Sequence, residues 1–152
     1  MSDVRLKYGQ IAPEGLAKLR ALEHWVNADS GLEHSLLELV KLRASVVNGC
    51  ESCVRVHMAE LRGMGESEDR IAGLAEWRSS EAYTTRERAA LSWTEVVTNI
   101  QEGHAPDSVY GEVRAVFSEV ETVSLTLAIA TINAWNRLAI ALGRHSCREV
   151  AK

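Results

Sequence analysis

Cys50-Glu51-Ser52-Cys53, followed by His57, is the part of this sequence whose residue types and spacing can do chemistry. On a helix, spacings of three and four place Cys53 and His57 near Cys50 on one side. Asn48-Gly49 comes immediately before. Both are turn formers, so a break there starts a new helix at the cysteines. Cysteines in a first helical turn feel the positive end of the helix dipole and its unpaired N–H groups. Both effects favour thiolate, which is the reactive form. Two thiols separated by two residues can also close a disulfide, one attacking and the other resolving. His57 could act as proton acceptor for one of them, imidazole being the side chain suited to proton transfer near neutral pH.

Glu38 is the fourth residue of interest. It lies twelve residues before Cys50, flanked by Leu36, Leu37, Leu39 and Val40. A carboxylate in such a run costs free energy unless it is paired. In a continuous helix it would sit about 18 Å from Cys50, at 1.5 Å per residue. A chain reversal at Asn48-Gly49 instead returns Glu38 toward His57, where it can orient the imidazole as the third member of a triad does.

The elements that must position these residues read as helices. Ser30 and Glu33, Thr84 and Glu87, and Ser118 and Glu121 all have capping-box spacing. Each pair is followed by apolar residues at helical intervals. Pro13 can open a first helix carrying Leu16, Leu19 and Leu22. Gly63 and Gly65 should end the helix that contains Cys53. A short helix is expected from about Glu68 to Trp77, then a polar loop from Arg78 to Thr84. The stretch from Gly103 to Pro106 breaks the chain again. Two-residue alternation is missing nearly everywhere, so no substantial sheet is expected. From Thr122 to Asn136 there is no charged residue. Such a helix reads as buried and favours a subunit interface. Thr126, Thr131, Asn133 and Asn136 interrupt it, and Arg137 ends it too early for a membrane span.

Composition bounds the rest. A chain of 152 residues with 46% hydrophobic and 25% charged residues suits one globular domain over residues 1–152. Seventeen basic against 21 acidic side chains give a net charge of −4, which argues against a nucleic acid or an anionic membrane surface as partner. Met1 to Gln10 is mostly polar and unlike a signal peptide. Three cysteines cannot form a closed disulfide framework, so a reducing cytoplasm is expected.

Together, Glu38, Cys50, Cys53 and His57 resemble the core motif of the alkylhydroperoxidase AhpD-like family, part of the wider carboxymuconolactone decarboxylase-like group. The resemblance runs from about Leu16 to the last helix. It includes Trp77 through Thr85, Glu87-Arg88-Ala89, and Ile132-Asn133-Ala134-Trp135-Asn136-Arg137. It implies an all-α fold with the CxxC at a helix N-terminus, assembling as a homo-oligomer, often a trimer or hexamer. It also implies a thiol peroxidase or disulfide reductase. In that picture Cys53 becomes the sulfenic acid, Cys50 supplies a proton and resolves it, and Glu38 and His57 form the proton relay. The substrate would be a hydroperoxide and the reductant a lipoylated or thioredoxin-like dithiol, with no organic cofactor or metal. One position departs: Ser52 stands where the best-known members carry a histidine.

Other readings stay open at this level. Cys50, Cys53, His57 and Glu38 could supply four zinc ligands, although three of them crowd into eight residues of one helix. The cysteines could be inert core residues. A carboxymuconolactone decarboxylase-type lyase would not need the cysteine pair, and a redox sensor would use it without turnover. Cys147, amid Arg144, His145 and Arg148, reads as part of an exposed tail. His24, His34, His104 and His145 read as ordinary, and the four tryptophans as core or interface.

Overall fold

The computed structural model describes residues 4–143. Cys147 and His145 lie outside the described residues. Among those described, the chain is all-helical: α1 (Tyr8–Ile11), α2 (Pro13–Ala28), α3 (His34–Asn48), α4 (Glu51–Gly63), α5 (Glu68–Gly73), a 3-10 segment (Leu74–Ser79), α6 (Thr85–Thr98), α7 (Asp107–Val116) and α8 (Glu119–Leu142).

Local signals explain most boundaries. Pro13 occupies the first turn of α2, where a missing N–H costs nothing. Thr84 and Ser118 each form a complete capping box, with Glu87 and Glu121 reaching back to the cap nitrogens. The Ser30–Glu33 pair does not. Gly31 turns the chain with φ +78°, and Ser30 Oγ instead donates to Val26 O and accepts from Leu32 N. Glu33 is then the cap of α3, without a side-chain capping bond. The expected helix over Glu68–Trp77 divides into α5 and the 3-10 segment, with a kink at Glu76. Helix α7 is an addition to the sequence reading. It follows Pro106 and buries Val113.

Helix α3 lies at the centre and packs against α4, α6 and α8. Its residues divide among three faces. Leu36, Leu37 and Val40 enter a cluster with Trp93, Leu125 and Ile129. Leu39 and Leu42 enter a second with Leu61, Leu74, Trp77 and Leu91. Each fully buried leucine contributes about 1.5–3 kcal/mol through burial. The third face carries Glu38, Lys41, Ser45 and Asn48, spaced i, i+3, i+7 and i+10, which is one polar stripe along the helix.

Helix α8 differs in part from the expectation of a helix buried all round. Leu125, Ile129, Ile132 and Asn136 are buried, whereas Val120 and Val123 are exposed. By length and composition it could cross a membrane; here it packs against α2, α3 and α6.

The reversal after α3 depends on Gly49, which has φ +68° and donates to Val46 O. An added Cβ there would meet no atom within 4 Å, so a substitution meets only the left-handed backbone. Gly49→Ala is expected to lower stability by about 1 kcal/mol, and Gly49→Asn by less. Urea midpoints of the two variants check this.

Candidate active site

Cys50 caps α4 and Cys53 lies in its first turn. The two are joined by a disulfide, with their Cα atoms 5.3 Å apart. Cys50 is fully buried. Cys53 is only partly buried and lines a cavity of about 380 Å³ with His57, Val56, Ile132 and Trp135. Cys50 Sγ also lies 3.6 Å from Ser52 Oγ. A reagent entering the cavity therefore meets Cys53 and not Cys50.

The reversal at Gly49 brings Glu38 to His57. His57 Nδ1 and Glu38 Oε2 are 2.8 Å apart, and both side chains are buried. With Glu38 ionised, Nδ1 carries the proton and donates it to the carboxylate, which leaves Nε2 as the basic nitrogen. The second carboxylate oxygen is held too. Lys41 Nζ donates to Glu38 Oε1 at 2.7 Å and to Asn27 Oδ1 of α2 at 2.6 Å. Burial alone would raise the Glu38 carboxyl. The His57 hydrogen bond and the Lys41 ammonium outweigh it and hold the group below the ordinary carboxylate range.

The rest of the polar stripe fixes the turn that makes this possible. Asn48 Nδ2 donates to Asn133 Oδ1 and Asn136 Oδ1 of α8. Asn136 Nδ2 donates to Ser45 Oγ, which donates to Lys41 O. Asn133 Nδ2 also donates to Thr98 Oγ1 and Ile129 O, so these amides have partners and the network is rigid rather than costly. A second carboxylate ties neighbouring elements together. Glu95 accepts from Arg43 of α3 and from Trp77 and Arg78 of the 3-10 segment. Burial would raise Glu95, but these donors hold it low.

All four residues singled out by the sequence are therefore assembled at one place. Lys41 and Asn27, which bear on Glu38, were missed. A lysine three residues after an acid within an apolar run was the available signal for Lys41. Asn27 had none, because its partner lies on another helix. Among the described residues, no cluster of three His, Cys, Asp or Glu side chains could hold a metal ion, and Cys50 and Cys53 are bonded to each other.

Glu38 and Glu95, both held low, help to give the fold an acid limit. A group whose folded-state affinity for a proton is depressed contributes stability above its unfolded value, and loses it as pH falls toward the folded one. The urea midpoint is expected to be level from pH 7 to about 5.5, and to fall below about 4.5, where unfolded carboxylates titrate. Equal midpoints at pH 7 and pH 3 would contradict this.

Residues 12–96 match the family model described as carboxymuconolactone decarboxylase family. The chain belongs to that family. It is 38% identical over 145 residues to the uncharacterized protein YdfG of Bacillus subtilis strain 168, spanning 95% of this chain and 98% of the relative. A crystal structure from Agrobacterium tumefaciens shares 45% identity and a TM-score of 0.88, over 91% of this chain and 94% of that one. That protein is of unknown function and is described as a candidate antioxidant defence protein AhpD. A peroxidase-related protein with an alkylhydroperoxidase AhpD core, from Ralstonia eutropha JMP134, aligns with a TM-score of 0.77 over 90% of this chain and 73% of its own, at 20% identity. It shows the fold alone. Within its family the chain is AhpD-like.

Proposed function

We propose that this protein is a thiol-dependent alkyl hydroperoxidase, working through disulfide exchange in antioxidant defence in the cytoplasm. One observation carries the reading: the accessible Cys53 shares a cavity with His57, whose other nitrogen is held by the buried Glu38. In the reduced protein, Cys53 gives its proton to His57 Nε2, and the thiolate attacks the terminal peroxide oxygen. The O–O bond breaks, Cys53 becomes the sulfenic acid, and the departing alkoxide takes a proton from the relay and leaves as alcohol. Cys50 then condenses with the sulfenic acid, releasing water and forming the Cys50–Cys53 bond. An external dithiol, lipoylated or thioredoxin-like, returns two electrons and two protons. Ser52 supplies no imidazole, so His57 is the base of this relay. The exposed Val120 and Val123 on α8 fit assembly as a homo-oligomer, a trimer or hexamer.

The test is thiol counting and intact mass on reduced protein before and after one equivalent of cumene hydroperoxide. Loss of two thiols, reversed by dithiothreitol and followed by multiple turnovers with a lipoyl dithiol, is the expected result. Thiols that do not react would overturn the reading and shift weight to lyase chemistry. Oxidation without turnover would leave a redox sensor.

A further inference from the structure

We infer that Lys41 is a positioning residue that tunes how tightly the Glu38–His57 pair holds a proton, so that the relay can release a proton as well as take one. The inference rests on the peroxidase reading above.

The cycle asks two opposite things of His57. It must accept a proton from a thiol and later give one to the departing alkoxide. A proton carrier serves both steps best when its affinity matches the working pH. A buried carboxylate against an imidazole works against this. In a medium of low dielectric the uncompensated negative charge strongly favours imidazolium, and the proton is retained.

Lys41 supplies the compensation. Glu38 uses Oε2 for His57 and Oε1 for Lys41, at 2.8 and 2.7 Å. Carboxylate and ammonium are already neutral as a pair. A further proton on His57 adds net charge to a buried site unless a thiolate forms at the same moment. Proton transfer from Cys53 is such an event, since it creates thiolate and imidazolium together. Glu38 thus keeps its orienting hydrogen bond without locking the imidazole in its charged form.

Among the described residues, the hydrogen bonds to the Glu38 carboxylate come from His57 and Lys41. On α3, His34 Nε2 stands 3.8 Å from Glu38 Oε1 and is mostly exposed. Helix α2 contributes the neutral Asn27 to Lys41, and Arg20 and Glu23 to the cavity wall. Helix α1 contributes Tyr8, and α8 places Ile132, Trp135 and Ala139 there, none of them charged. Lys41 itself is only 4% exposed. Lysine is rarely buried to that degree. An apolar pair could join α2 to α3 at no greater cost, so support of the fold alone does not account for an ammonium at this spot.

The experiment follows His57 directly. Imidazole 15N resonances are titrated in reduced wild type, Lys41→Gln and Lys41→Arg, with Glu38 intact. Lys41→Gln keeps a donor to Glu38 but removes the charge. It is expected to raise the His57 midpoint by about one pH unit, a tenfold gain in proton affinity, and to move the peroxidase pH profile the same way. Lys41→Arg is expected to keep the midpoint within half of that shift. An unchanged midpoint in Lys41→Gln, or an equal shift in Lys41→Arg, overturns the inference. If Lys41→Gln does not fold, Asn27→Ala decides: loosening the ammonium must raise the midpoint, and an unchanged value overturns the inference. The titration needs no turnover. A wild type that leaves peroxide untouched therefore defeats the peroxidase reading alone, and an unmoved midpoint in an active enzyme defeats the role of Lys41 alone.

Discussion

On the proposed peroxidase reading, replacing Cys53 with serine is expected to take peroxide turnover to the background rate, whereas replacing Cys50 is expected to leave one oxidation per chain and then stop. The difference follows from burial. Cys53 reaches the cavity, and Cys50 is fully covered. Attack on a peroxide needs a thiolate that the peroxide can touch, so the loss in Cys53→Ser should be a factor on the order of 10³ or more, the scale of removing the attacking group of a covalent catalyst. Resolution needs only that Cys50 reach its neighbour, and Cα atoms 5.3 Å apart allow it. Without Cys50 the sulfenic acid persists. Intact mass should record the gain of one oxygen, and a dimedone-type trap should capture it. A Cys147→Ser background keeps the third thiol from standing in as resolver. A Cys50→Ser protein that stays inert, beside a Cys53→Ser protein that oxidises, would reverse the two roles.

The legibility of the site has a physical limit. Cys50, Cys53 and His57 are neighbours within one helix, and helical spacing places them without tertiary information. Glu38 could be read because a lone carboxylate among leucines demands a partner and Gly49 offers a reversal. Lys41, Ser45 and Asn48 extend the same stripe at helical intervals, and an apolar-first reading passes over them. Their partners Asn27, Asn133 and Asn136 lie on other helices, and no local rule connects them. The helix ends show a similar division. Thr84 and Ser118 cap as their spacing indicates. Ser30 has the same spacing, but Gly31 turns the chain and Ser30 closes α2 instead. Capping spacing states what a serine can do; the backbone after it decides whether it does so. Helix α7 is ten residues long behind a proline, too short for its period to stand out from the surrounding break.

Glu38→Gln is expected to lower peroxide turnover at neutral pH by about 10²–10⁴-fold, the usual reach of positioned acid–base groups. The amide oxygen introduced by this substitution can still accept from His57 Nδ1, so imidazole orientation survives better than its basicity. The variant should also lose stability. Removing the charge leaves the Lys41 ammonium buried and unpaired, and breaking one side of a buried ion pair costs about 3–5 kcal/mol. Lost activity could then be mistaken for lost structure. The double variant Glu38→Leu/Lys41→Met separates them, because an apolar pair of similar volume in place of a buried ion pair is often neutral or stabilising. Urea melts should place the double variant near wild type and well above Glu38→Gln, while its turnover stays as low as that of the single variant. Recovery of stability without recovery of rate assigns Glu38 to proton transfer. Recovery of both would make the carboxylate a structural support, with His57 working unaided, and no coupling would then be found between Glu38 and His57 in a double-mutant cycle on turnover.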